Sequence, residues 1–143
     1  MRVNIIIPCY NEEDNLRRIR ASFVAELSLV DEVEVRLILV ENGSDDNSRA
    51  LMSGADFRHR AIEIVEVNVN QGYGHGIKQG IRHGDADYYC WTHADLQTPL
   101  SDVLAVAKSG CKNGWEVIAG KRVTYGSQKL QSFELGSIPV LLG

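Results

Sequence analysis

The stretch Val3-Asn4-Ile5-Ile6-Ile7-Pro8-Cys9-Tyr10-Asn11-Glu12-Glu13-Asp14 decides the fold class. A continuous β-branched run closed by a proline reads as a strand buried on both faces, the kind found in parallel sheets. Glu12, Glu13 and Asp14 then place negative charge where a helix N-terminus favours it. Leu16, Ile19, Phe23, Val24 and Leu27 follow at helical spacing. The segment is therefore a strand, a polar turn and a helix.

The same alternation continues outward. Val33 to Val40 predicts a second strand, and Glu41-Asn42-Gly43-Ser44-Asp45-Asp46 a turn rich in helix-capping residues. Asp45 and Asp46 are read as caps. A short helix is expected over Ser48 to Met52, and a third, edge-like strand over Ile62 to Val69. Gln71 to Gly76 is read as a glycine-rich loop. Ile77 to His83 reads as a helix ending at Gly84 as its C′ residue. Tyr88 to Thr92 reads as a fourth strand and His93 to Thr98 as a loop. Pro99 suits the first turn of the next helix, and Trp115 to Ala119 reads as a fifth strand. Beyond Lys121 the pattern weakens. The order predicts an α/β, mostly parallel sheet with helices on both faces. In such sheets ligands bind beyond the carboxyl ends of the strands, and the polar segments all fall there.

Composition bounds the reading. With 143 residues, 44% hydrophobic and 24% charged, the chain suits one domain with a single core. A net charge of −4 and a pI near 5.5 exclude a general nucleic-acid binder. Cys9, Cys90 and Cys111 are widely spaced and form no C-x-x-C pair, so reduced thiols in a cytoplasmic protein are expected. No secretory signal and no run of the ~20 apolar residues needed for a membrane span are visible. The apolar tail Ile138 to Gly143 reads as an interrupted element, or as a tail packed on the core.

The loop His93-Ala94-Asp95-Leu96-Gln97 carries polar side chains at alternate positions. In an extended segment His93, Asp95 and Gln97 would converge on one cation. A carboxylate and an amide oxygen suit Mg²⁺ or Mn²⁺, and the imidazole tilts the choice toward Mn²⁺. The plainer account is a loop whose Asp95 caps the helix near Pro99. In Asn70-Gln71-Gly72-Tyr73-Gly74-His75-Gly76 the glycines allow close approach of backbone to a phosphate. The spacing matches neither the dinucleotide fingerprint nor a Walker loop, and the plainer account is a tight turn needing positive φ. Glu41 could accept from a nucleobase or ribose, or be a solvated turn carboxylate. Tyr10 could stack on a base, or cover the sheet end.

Together these segments resemble family-2 glycosyltransferases of the GT-A fold, over residues 3 to about 122. Ile5 to Glu12 resembles the family's opening hydrophobic-Pro-x-Tyr-Asn-Glu, and Leu39 to Asp46 its V-D-D-G-S-x-D motif. Asn70 to Gly80 resembles N-x-G-x-G-x-A-x-x-x-G, with Gly76 in place of alanine. His93 to Pro99 resembles the D-A-D-L-Q-x-P form of dolichol-phosphate mannose synthase-like members. The resemblance implies nucleotide-binding roles for Pro8, Tyr10, Glu12 and Glu41, and likewise for Gly72, Lys78 and Ala94. Gly120-Lys121-Arg122 resembles the G-S-R segment after strand five, which gives Arg122 a phosphate contact. Asp95 matches the second Asp of D-x-D, the metal and diphosphate ligand and the one catalytic residue assigned, while Gln97 matches a second metal contact. His93 replaces the first Asp, which puts the metal in question.

The implied activity is a hexosyl-type transferase of cell envelope biogenesis. A UDP- or GDP-linked sugar would pass with inversion to a polyprenyl phosphate or a glycan, aided by Mg²⁺ or Mn²⁺. The implied place is the cytoplasm, with peripheral association at the inner face of the membrane. Residues 1–143 are expected to be the nucleotide-sugar-binding part of a catalytic domain, C-terminally incomplete. Two alternatives stand beside it. A nucleotidyltransferase would carry Gly, Arg and Lys after strand one, where Tyr10-Asn11-Glu12-Glu13 stands instead. A non-catalytic nucleotide-binding or interaction module would have a degenerate D-x-D, which His93 favours.

Overall fold

The computed structural model describes residues 1–27, 33–114, 118–125 and 130–137, the last two segments by their backbone. Strand β1, Arg2–Cys9, lies inside a four-stranded sheet of order β3-β2-β1-β4. Its neighbours are β2, Glu34–Asn42, and β4, Tyr88–Trp91; β3, Ile62–Val67, pairs with β2 at the edge. All three pairings are parallel, with Ile5 opposite both Leu37 and Cys90. The edge position predicted for β3 holds, and the expected α/β layering is present.

Residues 3–9 of β1 are all buried, as the unbroken apolar run requires. Val3, Ile5, Ile7 and Cys9 face a core shared with Leu16, Ile19 and Phe23 of α1 (Glu13–Leu27). Leu100, Leu104 and Ala107 of α4 (Leu100–Asn113) complete that core, together with Met52 of α2 (Ser48–Ser53). Ile6, Ile38, Val40 and Val67 face the other way, and α3 (Tyr73–His83) covers that side. Helices thus lie on both faces.

Helix α3 begins four residues before the expected Ile77, so Tyr73-Gly74-His75-Gly76 is helical rather than loop. Glycines weaken an isolated helix, but here packing overrides propensity. A Cβ on Gly80 would stand 2.5 Å from Ile6 Cγ2, and one on Gly76 would stand 2.9 Å from Pro8 Cβ. These two glycines let the helix lie close against β1. Gly84 is extended at φ −160° rather than left-handed; its carbonyl accepts from Asn4 Nδ2 and Tyr89 Oη instead. Pro99 is the cap before α4, not its first residue, and its carbonyl accepts from the Asp102 and Val103 N–H groups.

The far end departs most from expectation. β5 (Ile118–Tyr125) pairs antiparallel with β6 (Leu130–Ser137) in a separate two-stranded sheet. The predicted fifth strand therefore does not extend the parallel sheet among the described residues, and Gly120-Lys121-Arg122 lies within β5 rather than after it. Trp115 to Val117 and the tail Ile138 to Gly143 lie outside the described residues. A short 3-10 helix, Ala55–Phe57, was not foreseen.

Candidate active site

Four loops meet at the carboxyl edge of the parallel sheet. The first two are knit together by reciprocal hydrogen bonds. The Asn11 N–H donates to Ser44 Oγ (3.2 Å), and the Asp45 N–H donates back to Asn11 Oδ1 (2.9 Å). The Glu12 N–H donates to Ser48 Oγ (2.9 Å), and the Asn47 N–H to Glu13 Oε2 (3.0 Å). Asp46 accepts from the Glu13 and Ser48 N–H groups, so one carboxylate caps α1 and α2 together. Those bonds outweigh the effect of burial and hold its carboxyl below the ordinary value. The cap reading thus fits Asp46. Asp45 instead accepts from the Tyr10 hydroxyl at 3.0 Å, which raises the Tyr10 pKa and leaves the ring exposed on the rim.

Glu41 differs from both sequence readings of it. Its side chain is wholly buried. Oε1 accepts from the Ser44 N–H at 2.6 Å, and Oε2 pairs with the Arg49 guanidinium, Nε at 2.7 Å and Nη2 at 2.6 Å. Burial alone would raise its pKa; the Ser44 and Arg49 bonds outweigh this and lower it. It is neither a solvated turn carboxylate nor an open acceptor. Arg49 also donates to the Val67 carbonyl (3.1 Å), tying α2 to the end of β3.

Pro8 and Ala94 are buried as well. Pro8 supports Gly76, and the Ala94 side chain belongs to the core, so both act as packing residues beneath the rim. Glu12 is half-buried and accepts from Asn15 Nδ2 (2.7 Å). Lys78 is exposed on α3.

The third loop is latched by the buried Asn42, whose Nδ2 donates to the Gly72 carbonyl (3.3 Å) while the Gly72 N–H donates to Asn70 Oδ1 (2.7 Å). Gly72 has φ +93° and ψ 168°, a conformation favouring glycine, with nothing near its missing Cβ. The positive-φ reading of this segment applies at that residue. Gly43, at φ +74°, passes so close that a Cβ would stand 2.6 Å from the Asn70 nitrogen.

The fourth loop follows β4. His93, Asp95 and Gln97 are exposed, while Thr92 and Ala94 are buried. The alternation is present, but the segment is not extended throughout. Leu96 has φ +56°, and Asp95 Oδ1 accepts from the Gln97 N–H (3.0 Å), closing a turn. The Asp95 carboxylate therefore shapes its own loop, and the N-cap position of α4 is Pro99, which has no side-chain cap bond. The His93 ring lies on that of Tyr73, centroids 4.5 Å apart and planes 9° apart. Burial, then the charge of Asp95, raises the Tyr73 pKa.

No group of three or more His, Cys, Asp or Glu suited to a metal occurs among the described residues. The cation chemistry here amounts to one carboxylate, one imidazole and one amide. That donor set fits an ion whose shell is completed by substrate phosphates and water, as for Mg²⁺. A cleft of about 330 Å³ lies at the opposite, amino-terminal rim, lined by Met1, Arg2, Glu34, Asp85, Ala86 and Asp87. Its groups are tied to each other, the Arg2 N–H to Asp87 at 2.7 Å and the Arg2 guanidinium to Glu34 at 3.3 Å. The three cysteines are unpaired; burial pushes the Cys90 thiol up to about 11 and Cys9 higher still. Neither is a ready nucleophile.

Arg49, Ser48, Asn42 and Tyr73 carried no signal as site residues. Each acts through a partner that only the fold brings near. The arrangement is a parallel α/β sheet with a polar rim and an exposed Asp on the β4 loop. A sequence profile described as "Glycosyl transferase family 2" matches residues 4–135, and the chain belongs to that family.

Among individual relatives, an undecaprenyl-phosphate 4-deoxy-4-formamido-L-arabinose transferase of Proteus mirabilis (strain HI4320) is 29% identical over 122 residues. The match takes in 85% of this chain and 37% of that protein. The protein of the same description from Enterobacter sp. (strain 638) is 31% identical over 124 residues, again 85% of this chain and 37% of the other. The chain thus spans little more than a third of these relatives. A crystal structure of S. aureus TarS 1-349 superposes with a TM-score of 0.56 at 17% identity, covering 78% of this chain and 33% of that one. The fold is the expected GT-A type. No helix among the described residues is long and apolar enough to cross a membrane.

Proposed function

We propose that this chain is the donor-binding part of an inverting glycosyltransferase that moves a sugar from a nucleoside-diphosphate sugar to a polyprenyl phosphate. The observation that carries it is the exposed Asp95 carboxylate at the carboxyl end of β4, on the same sheet edge as the exposed Tyr10 ring. The acceptor class is supported by the relatives named for undecaprenyl phosphate, and by the mannose synthase-like form of His93 to Pro99. A lipid phosphate oxygen is already anionic, so transfer to it needs no strong base.

Asp95, with Gln97 and His93, would hold Mn²⁺ or Mg²⁺ against the diphosphate, and the ion would neutralise charge growing on the leaving group. Tyr10 offers an exposed face to the base. The first turn of α3, which Gly72 leads into, presents backbone N–H groups to the phosphates, with Lys78 as a further phosphate contact. Glu41 holds the second loop in shape through Ser44 and Arg49. Its contribution to nucleotide binding is therefore indirect. Working at a lipid phosphate would bring the enzyme to a membrane surface, on its cytoplasmic side in this reading.

Titration of UDP and GDP, each with and without Mn²⁺, tests the reading. Binding of one diphosphate that requires the ion supports it. His93, in place of a carboxylate, favours a second reading, a nucleotide-binding or interaction module without transfer. Ion-independent binding supports that second reading, and no binding of either nucleotide refutes the first.

A further inference from the structure

Tyr73 is the first residue of α3, and His93 stands on the loop after β4. Their rings lie nearly parallel at 4.5 Å. The Tyr73 hydroxyl is buried and has no hydrogen-bond partner. A buried hydroxyl left unpartnered is unfavourable, so hydrogen bonding does not account for the position of this ring. Contact of its face with the imidazole does.

The consequence for His93 is geometric. An exposed histidine on a loop is ordinarily free to turn about two side-chain bonds. Stacking fixes the plane of the ring and covers one face. The two ring nitrogens present their lone pair or N–H at the ring edge, within that plane. They therefore stay open while their direction is set. Asp95, two residues along, supplies the neighbouring carboxylate.

We propose that Tyr73 is a positioning residue that sets the plane of His93, and through it biases the site toward Mn²⁺ over Mg²⁺. The bias follows because an imidazole nitrogen suits a transition-metal ion better than Mg²⁺, which favours oxygen. This rests on the cation site of the proposed function. The stack itself does not, and can be observed separately. The Tyr73 ring touches no substrate in this account; its effect passes through His93.

The test uses the whole 143-residue chain and two readouts. The first is the His93 imidazole C–H resonance by NMR without metal. A stacked neighbour displaces it by ring current, so Tyr73→Leu should return it toward the free-histidine position and Tyr73→Phe should not. The second is the affinity for UDP and GDP with Mn²⁺ and with Mg²⁺. Tyr73→Leu should lower the Mn²⁺-to-Mg²⁺ affinity ratio by about 2- to 12-fold, the range expected from losing one aromatic pair. Tyr73→Phe should keep the ratio, since the hydroxyl has no role. In a His93→Ala background, Tyr73→Leu should cause no further change.

An unchanged ratio in Tyr73→Leu overturns the proposal. So does a loss of equal size in the His93→Ala background, because Tyr73 would then act on its own. A changed ratio in Tyr73→Phe also overturns it, since the hydroxyl would matter. If the wild-type chain binds neither nucleotide with either ion, the cation site fails and the bias fails with it. The ring-current shift then tells that failure apart from absence of the stack.

Discussion

The rim has two halves held by different means. The loops after β1 and β2 are bound to each other through Asn11, Ser44, Asp45, Asp46 and Ser48, with Glu41 and Arg49 paired beneath. Most of their polar groups are satisfied within the protein. The loop after β4 meets the rim through the Tyr73–His93 stack and keeps His93, Asp95 and Gln97 exposed. A rigid, self-satisfied half beside a polar, exposed half is what binding requires. On the proposed reading, the first half fixes the frame and the second presents exposed polar groups to the ligand.

That division can be broken from either side. Asp95→Ala should have the largest effect. Ion-dependent nucleotide affinity should fall by about 100-fold or more, as expected when a charged ligand group is lost. Stability should fall by no more than about 1 kcal/mol, the loss of the turn hydrogen bond to the Gln97 N–H. Calorimetric titration and thermal denaturation read the two quantities. A variant that unfolds but still binds when stabilised would reverse the roles of the halves.

Arg49→Ala should do the opposite. It leaves the Glu41 carboxylate buried without its guanidinium, so stability should fall clearly, though by less than for a pair buried on both sides, because Arg49 is partly exposed. Denaturant unfolding measures it. A loss of nucleotide affinity with no loss of stability would show that Arg49 is itself a ligand group.

Acid should act on the same pair. The Glu41 pKa is lowered below its ordinary value of 4.5 in the folded protein. Its contribution to stability is therefore complete above that value and is lost as pH falls through the folded one. Wild type should exceed Glu41→Gln in melting temperature at pH 7, and the gap should narrow progressively as pH falls below the ordinary value of 4.5. A gap that is constant with pH would contradict the ion pair.

The smallest expected effect is at Gly72. Alanine at φ +93° should cost about 1–3 kcal/mol through backbone strain, as no atom obstructs its methyl group. Urea denaturation gives the number. A neutral result would show that the third loop shifts freely and that its latch to Asn42 is weak.

How much of this was readable in advance follows from the range of each interaction. The β1 and β2 runs declare themselves because each residue's burial is written in its own side chain. Asp46 as a cap was legible for the same reason, its partners being close by or on the adjoining turn. The start of α3 was not, because Gly74 and Gly76 read as loop until Pro8 and Ile6 are placed beneath them. Glu41 reads as a surface carboxylate until α2 folds back and brings Arg49 over it. The turn at Leu96 breaks the extended geometry assumed for the loop, although His93, Asp95 and Gln97 all stay exposed at the surface. The β5–β6 hairpin had no clear period in the sequence. Motif order pointed to the family, and long-range contacts decided which motif residues are tied into the frame and which stay exposed.

The account's central claim is best tested with Mn²⁺ itself, since the bound ion relaxes nearby nuclei. With Mn²⁺ and the preferred nucleoside diphosphate, amide signals of His93, Asp95 and Gln97 should broaden most and those of Tyr73 and Tyr10 next. Signals of Asp85 and Asp87 at the opposite rim should stay sharp. Broadening centred on Asp85 and Asp87, with residues 93–97 unaffected, would contradict it.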